Sequence, residues 1–271
     1  MSSVSIASER EEARDKRIPF GAFRDTFAVA QRNLIAYRRV PQLLVFSTIQ
    51  PVIFVLMFRY VFGGAISVPG KIPYVDYLMP GVFVQTVVFG SLAAAIGLAA
   101  DLKSGLLERF HSLPMARSAV LTGRTVADMT RNVFVIILML IVGFLVGFHV
   151  RSNVFGLVGG ALLVVLFGFA MSWIFATVGL LVGDPETAQA AAFPILAPLV
   201  FASSAFVPVE KMPGWLQVFA NHQPVSVTAS AVRALMGNGP SGTYLLQSIL
   251  WCVAILAIAA PIAVQRYRRA V

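Results

Sequence analysis

Charge is scarce in this chain. Of its 271 residues only 12% are Asp, Glu, Lys or Arg, against 58% that are hydrophobic. A water-soluble domain carries about 25% charged and 45–50% apolar residues. The deficit excludes a soluble enzyme and a disordered protein. Cysteine is almost missing: Cys252 alone can form neither an internal disulfide nor a thiolate metal site. His111, His149 and His222 lie far apart, and no HExxH sequence occurs, so no metal site is expected. There is no GxxxxGK[ST] phosphate loop. Gly70-Lys71 is followed by Ile72 and lacks the spacing, which excludes ATP binding by that route. Gly239-Pro240-Ser241-Gly242 has the outline of a serine-protease motif, but it sits in a Pro/Gly turn with no histidine base beside it.

What the chain has is long apolar runs. A membrane-spanning helix needs ~20 mostly apolar residues. Six stretches qualify, at about 41–62, 77–100, 125–148, 154–182, 187–207 and 243–264. The fold class read from them is an all-α polytopic membrane protein with six transmembrane helices. The net charge of +9 then becomes a topology signal. Fifteen Lys and Arg fall before the first run, between the second and third, and after the sixth. Lys71, Arg151, Lys211 and Arg233 fall on the other side. By the positive-inside rule both termini are cytoplasmic, and the basic residues meet phospholipid, not nucleic acid. Tyr60, Tyr74, Tyr77 and Tyr244 fall at outer span ends, the depth an amphipathic ring prefers.

Residues 212–232, within the longer stretch 208–236, carry no charge and are long enough to suggest a seventh span. They contain Pro213, Gly214, Asn221, His222, Gln223 and Pro224, whose backbone and amide groups would go unsatisfied in lipid. A seventh crossing would also carry Arg266, Arg268 and Arg269 outside. The segment is therefore expected to be an outer re-entrant hairpin, either a gate or a static plug. Trp215 anchors its first half, Pro224 marks the break, and Arg233 faces headgroups or the helix's carboxyl end. Gly237 stops the helix.

Residues 1–19 read as a cytoplasmic tail and 266–271 as a short basic one. In 20–39, Phe20, Phe23, Phe27, Ala30 and Leu34 share one helical arc, an amphipathic pattern for an interfacial helix that anchors or acts as a lever. Between spans two and three lies a connector far longer than the ~2–8 residues that adjacent helices need. Its Leu102, Leu106, Phe110 and Leu113 form an apolar stripe that could lie on lipid or dock on a partner. Asp184, Pro185 and Glu186 read as an N-cap, an N1 proline and a helix-dipole partner. Arg59 is near enough to a span end to snorkel. Arg124, Asp128 and Arg131 have the spacing of a local ion-pair ladder. Gln50, Gln85, Asn132 and Gln189 are intramembrane amides, either interhelical glue or a substrate pathway. No carboxylate ring or proton-relay series appears, which disfavours an ion-coupled carrier or channel. No convergent acid, base and nucleophile set supports a membrane enzyme.

Three stretches resemble the permease subunit of type-2 ATP-binding-cassette (ABC) exporters, in the daunorubicin-resistance permease branch. They are Leu107-Glu108-Arg109-Phe110-His111-Ser112-Leu113-Pro114-Met115, Phe206-Val207-Pro208 through Met212-Pro213-Gly214-Trp215-Leu216, and Asn221-His222-Gln223-Pro224-Val225-Ser226 with Arg233 and Gly237 following. The resemblance covers about 20–265. It implies a membrane subunit that is not itself an enzyme and binds no cofactor directly. ATP and Mg would be held by two copies of a cytoplasmic ABC ATPase subunit. A second permease subunit would complete a homodimer or heterodimer, with spans one and five at the dimer surface. The assembly would sit in the cytoplasmic membrane and export an amphiphilic substrate: a drug, a lipid or a glycolipid. The segment 101–117 becomes the ATPase-coupling segment, with Leu106, Leu107, Glu108, Arg109, Phe110 and Leu113 as contacts. The competing function is an ion-coupled carrier or channel without an ATPase.

Overall fold

The computed structural model describes residues 41–66, 68, 72–105, 117–237 and 239–270. The expected interfacial helix at 20–39 and the coupling residues Leu106, Leu107, Glu108, Arg109, Phe110 and Leu113 lie outside them. The described residues are all-helical, with no strand. Helix α1 (Pro41–Leu56) continues as a π-helical turn (Met57–Phe62). There follow α2 (Tyr74–Lys103), α3 (Arg117–Leu145), α4 (Val154–Val182) and α5 (Pro185–Phe201). Two short helices, α6 (Gly214–His222) and α7 (Pro224–Gly237), precede α8 (Gly242–Ala270), which continues past the 264 end read from the sequence.

The caps explain the breaks. The Asn153 side chain accepts from the Gly156 N–H at 3.0 Å and opens α4, and Gly183 closes it in the left-handed conformation at φ 75°. Asp184 then opens α5, accepting from the Thr187 N–H at 3.1 Å, with Pro185 as the first helical residue. Four helices contain stretches long and apolar enough to cross a membrane: Tyr74–Lys103, Gly123–Leu145, Val154–Val182 and Gly242–Tyr267. Helices α1 and α5 are shorter.

Helix α2 is the hub, packing on α3, α4, α5 and α7. Its approach to α4 depends on small residues. A Cβ at Gly179 would run into the Ala95 carbonyl, and one at Gly168 would lie 2.8 Å from the Val87 Cβ. Without a hydrophobic drive between helices in lipid, such close approach supplies the packing. Hydroxyls within the bundle bond back to their own helix. Thr86 donates to the Val82 carbonyl and Ser91 to that of Val87, both at 2.7 Å. The periphery is apolar: Phe134, Ile137 and Ile141 on α3, Phe155 and Leu162 on α4, and Leu246, Leu250 and Val253 on α8 are exposed. A bundle with greasy side chains outside and amides inside is a membrane protein.

Candidate functional site

At one end of the bundle α6 and α7 form a helical pair, and this end is called the hairpin end below. The segments entering and leaving the pair, through Val209 and Gly239, line one cavity of about 430 Å³ together with Asp76 and Arg151. Both arms therefore return to the same end. At its carboxyl terminus α7 is capped by the α3–α4 loop, whose Arg151 and Ser152 N–H groups donate to the Met236 carbonyl at 3.0 and 3.1 Å.

Arg233 latches the pair to the bundle. Its Nε donates to the Tyr77 carbonyl at 2.8 Å. Its terminal nitrogens donate to the Ser204 carbonyl at 2.5 Å, the Ala205 carbonyl at 3.1 Å and the Ser204 hydroxyl at 3.2 Å. The guanidinium also lies over the Tyr77 ring, 3.8 Å from its centroid. Those acceptors follow the carboxyl end of α5 or lie in the first turn of α2, and a cation suits the negative end of α5. Tyr74 and Tyr77 complete the knot, their hydroxyls donating to the Phe206 and Ser204 carbonyls, each at 2.9 Å. The Ser204 N–H donates to the Ser226 Oγ at 2.9 Å, and the Gln223 amide reaches the same oxygen at 3.1 Å.

The structure thus joins Pro224, which opens α7, to Arg233 in one packed element. Trp215 stands apart on α6, 76% exposed. The Arg233 side chain turns onto α2 and the segment after α5. Of the tyrosines assigned to the outer ends, Tyr60 and Tyr244 are exposed, while Tyr74 and Tyr77 are buried and structural. Sequence reasoning missed Ser204, and named Ser226 only within the stretch 221–226 without its partner. Their signal, two small hydroxyl residues flanking a helix-breaking stretch, is weak without a known partner.

A second cavity, of about 230 Å³, opens between α1, α2 and α3. It is bounded by Gln50 and Pro51 of α1, Gln85 and Phe89 of α2, and Arg131 and Asn132 of α3. Three of the four amides singled out from sequence therefore share one space; Gln189 is exposed on α5. The Gln85 Oε1 and the Asn132 Nδ2 are buried without a hydrogen-bond partner among the described residues. Each such orphan costs about 1–3 kcal/mol.

At the opposite end, ion pairs lace the helices. Arg124 of α3 pairs with Asp101 of α2. Lys103 of α2 pairs with Asp184 at 2.7 Å. Arg124 thus makes a cross-helix pair that its local spacing did not announce, because the end of α2 brings a carboxylate within reach. The Lys103 ammonium, with the Thr187 N–H and hydroxyl, holds the Asp184 carboxyl down at about 2. No group of His, Cys, Asp or Glu suited to a metal occurs among the described residues.

Several apolar helices, an apolar periphery and a latched helical pair define a polytopic helical membrane protein. The chain belongs to the ABC-2 type transporter family, which it matches over residues 24–236. It is 36% identical over 239 residues to the daunorubicin resistance ABC transporter permease protein DrrB1 of Streptomyces coeruleorubidus, covering 88% of this chain and 83% of that one. It is 28% identical over 223 residues to the doxorubicin resistance ABC transporter permease protein DrrB of Mycobacterium tuberculosis, covering 75% of each.

Proposed function

We propose that this chain is the membrane subunit of an ATP-driven exporter, moving an amphiphilic drug, lipid or glycolipid outward across the cytoplasmic membrane. The family match over residues 24–236 carries this reading. In it α1 through α5 and α8 are six spans, both termini are cytoplasmic, and the hairpin end faces out. Helix α7 has 14 residues, about 21 Å at 1.5 Å per residue, too short for a hydrocarbon core of about 30 Å. That supports a re-entrant hairpin at 208–236. Two copies of a cytoplasmic ABC ATPase and a second permease subunit complete the assembly, and ATP with Mg stays on the ATPase. Residues 106–115 dock on it, with Leu106, Phe110 and Leu113 as apolar anchors and Leu107, Glu108 and Arg109 beside them. Trp215, Pro224 and Arg233 belong to the outer gate, and Gln50, Gln85, Asn132 and Gln189 to the substrate pathway.

The mechanism needs two states that nucleotide distinguishes. Movement at the coupling segment reaches α2 and α3 together, because Asp101 and Arg124 tie their ends. Helix α2 carries it to Tyr77, where Arg233 holds the hairpin. The test is co-expression with a candidate ABC ATPase subunit. A stable complex whose ATP hydrolysis rises with an amphiphile is expected. A chain that transports in vesicles without any ATPase would favour the carrier alternative.

A further inference from the structure

Two consecutive residues in the first turn of α2 reach the same short helix by different routes. The Tyr77 carbonyl accepts directly from Arg233 of α7. The Asp76 carboxylate turns instead to the loop between α3 and α4. One of its oxygens accepts from the His149 N–H at 3.0 Å, and the other from the Arg151 guanidinium at 3.3 Å. The same loop pins the end of α7, since the Arg151 and Ser152 N–H groups both donate to the Met236 carbonyl. That carbonyl is among the last four of its helix, which find no partner inside it. A chain of contacts thus runs from Asp76 through residues 149–152 to Met236.

The Asp76 side chain is 8% exposed. Glu210, the other carboxylate on the wall of the larger cavity, is exposed and makes no ion pair among the described residues. The loop has anchors of its own on either side. Phe148 packs edge-on against Phe83 of α2, with ring centroids 6.1 Å apart, and Asn153 caps α4. Loss of the Asp76 carboxylate would therefore leave the bundle packed and loosen the stretch that holds Met236. Arg233 and Met236 lie about one helical turn apart on α7. Held at Arg233 alone, α7 can swivel about that point; held at both, it must follow this end of α2. Resting on the exporter reading above, we propose that Asp76 is a positioning residue for the gate: by holding the α3–α4 loop on α2 it supplies a second latch on α7, so that the hairpin moves with α2 as one body.

The test uses the full chain in lipid nanodiscs without an ATPase. Nanodiscs leave both faces accessible, so the outcome holds whether or not the exporter reading does. Ser230→Cys, half-buried on the cavity wall, is placed in a Cys252→Ser background, and its maleimide labelling rate reports opening of the hairpin. Asp76→Ala is expected to raise that rate about tenfold, the scale of one hydrogen bond to a charged group. Asp76→Asn keeps an oxygen for the His149 N–H and should raise it less. Arg151→Ala should add nothing to Asp76→Ala, because both act through one chain of contacts. The native Cys252, 1% exposed, reports the fold, and in an Asp76→Ala chain that retains it this thiol should stay as protected as in the wild type. A wild-type Ser230→Cys rate in Asp76→Ala would overturn the proposal and leave Asp76 serving only the positive end of α2. Rates that multiply in the Asp76→Ala, Arg151→Ala double variant would overturn it too. Should Asp76→Ala expose Cys252, the comparison is read from Asp76→Asn, where a wild-type rate has the same force.

Discussion

Arg233 is a membrane-protein arginine without a carboxylate among its described contacts. Backbone carbonyls and an aromatic face replace the counter-ion. Replacing it with Leu would leave the Tyr77, Ser204 and Ala205 carbonyls without these donors. Arg233→Leu is therefore expected to destabilise the protein by about 3 kcal/mol, read as a lowered Tm in detergent. Arg233→Lys should recover only part, since an ammonium is a point donor without the planar fork. Most of its partners were not legible in the sequence, because they are main-chain oxygens that no residue type announces. Asp184 was legible, because its cap acts within three residues. Its carboxyl is held below its ordinary range, so the stabilisation it contributes is present above about pH 4. It fades as pH falls towards about 2, where the folded-state group protonates. The Tm difference between wild type and Asp184→Asn should be constant from neutral pH to about pH 4 and shrink below it.

Among the elements, the long apolar helices were readable because lipid imposes length and composition on them. The π-helical turn at Met57–Phe62 was not, since no local pattern marks it. The ion pair between Asp101 and Arg124 was also hidden, joining residues 23 apart in the chain. That pair closes the base of the proposed coupling segment. Asp101→Asn should leave insertion intact and lower the ratio of substrate exported to ATP hydrolysed, measured in vesicles with the ATPase subunit. The exchange Asp101→Arg with Arg124→Asp should restore part of that ratio. Phe110→Ala should lower the same ratio and weaken complex formation; unchanged transport and unchanged assembly would remove the docking assignment.

For the whole molecule, the apolar surface is divided by neighbour. Phe58 at the end of α1 stacks on Phe206 just beyond α5, with centroids 4.4 Å apart. Ile49 and Ile53 on α1 and Phe193 and Ile195 on α5 remain exposed. Single cysteines at Ile53 and Phe193, in a Cys252→Ser background, should cross-link between permease copies more readily than one at Leu250 on α8. The proposed coupling joins nucleotide at one end to the hairpin at the other. Its most direct measurement is maleimide labelling of Ser230→Cys, on the wall of the cavity beside Arg233, in sealed cells carrying the ATPase. Labelling from outside, with a rate that changes several-fold when nucleotide is trapped, is the expected result. Labelling only from the cytoplasmic side, or an outside rate indifferent to nucleotide, would contradict it.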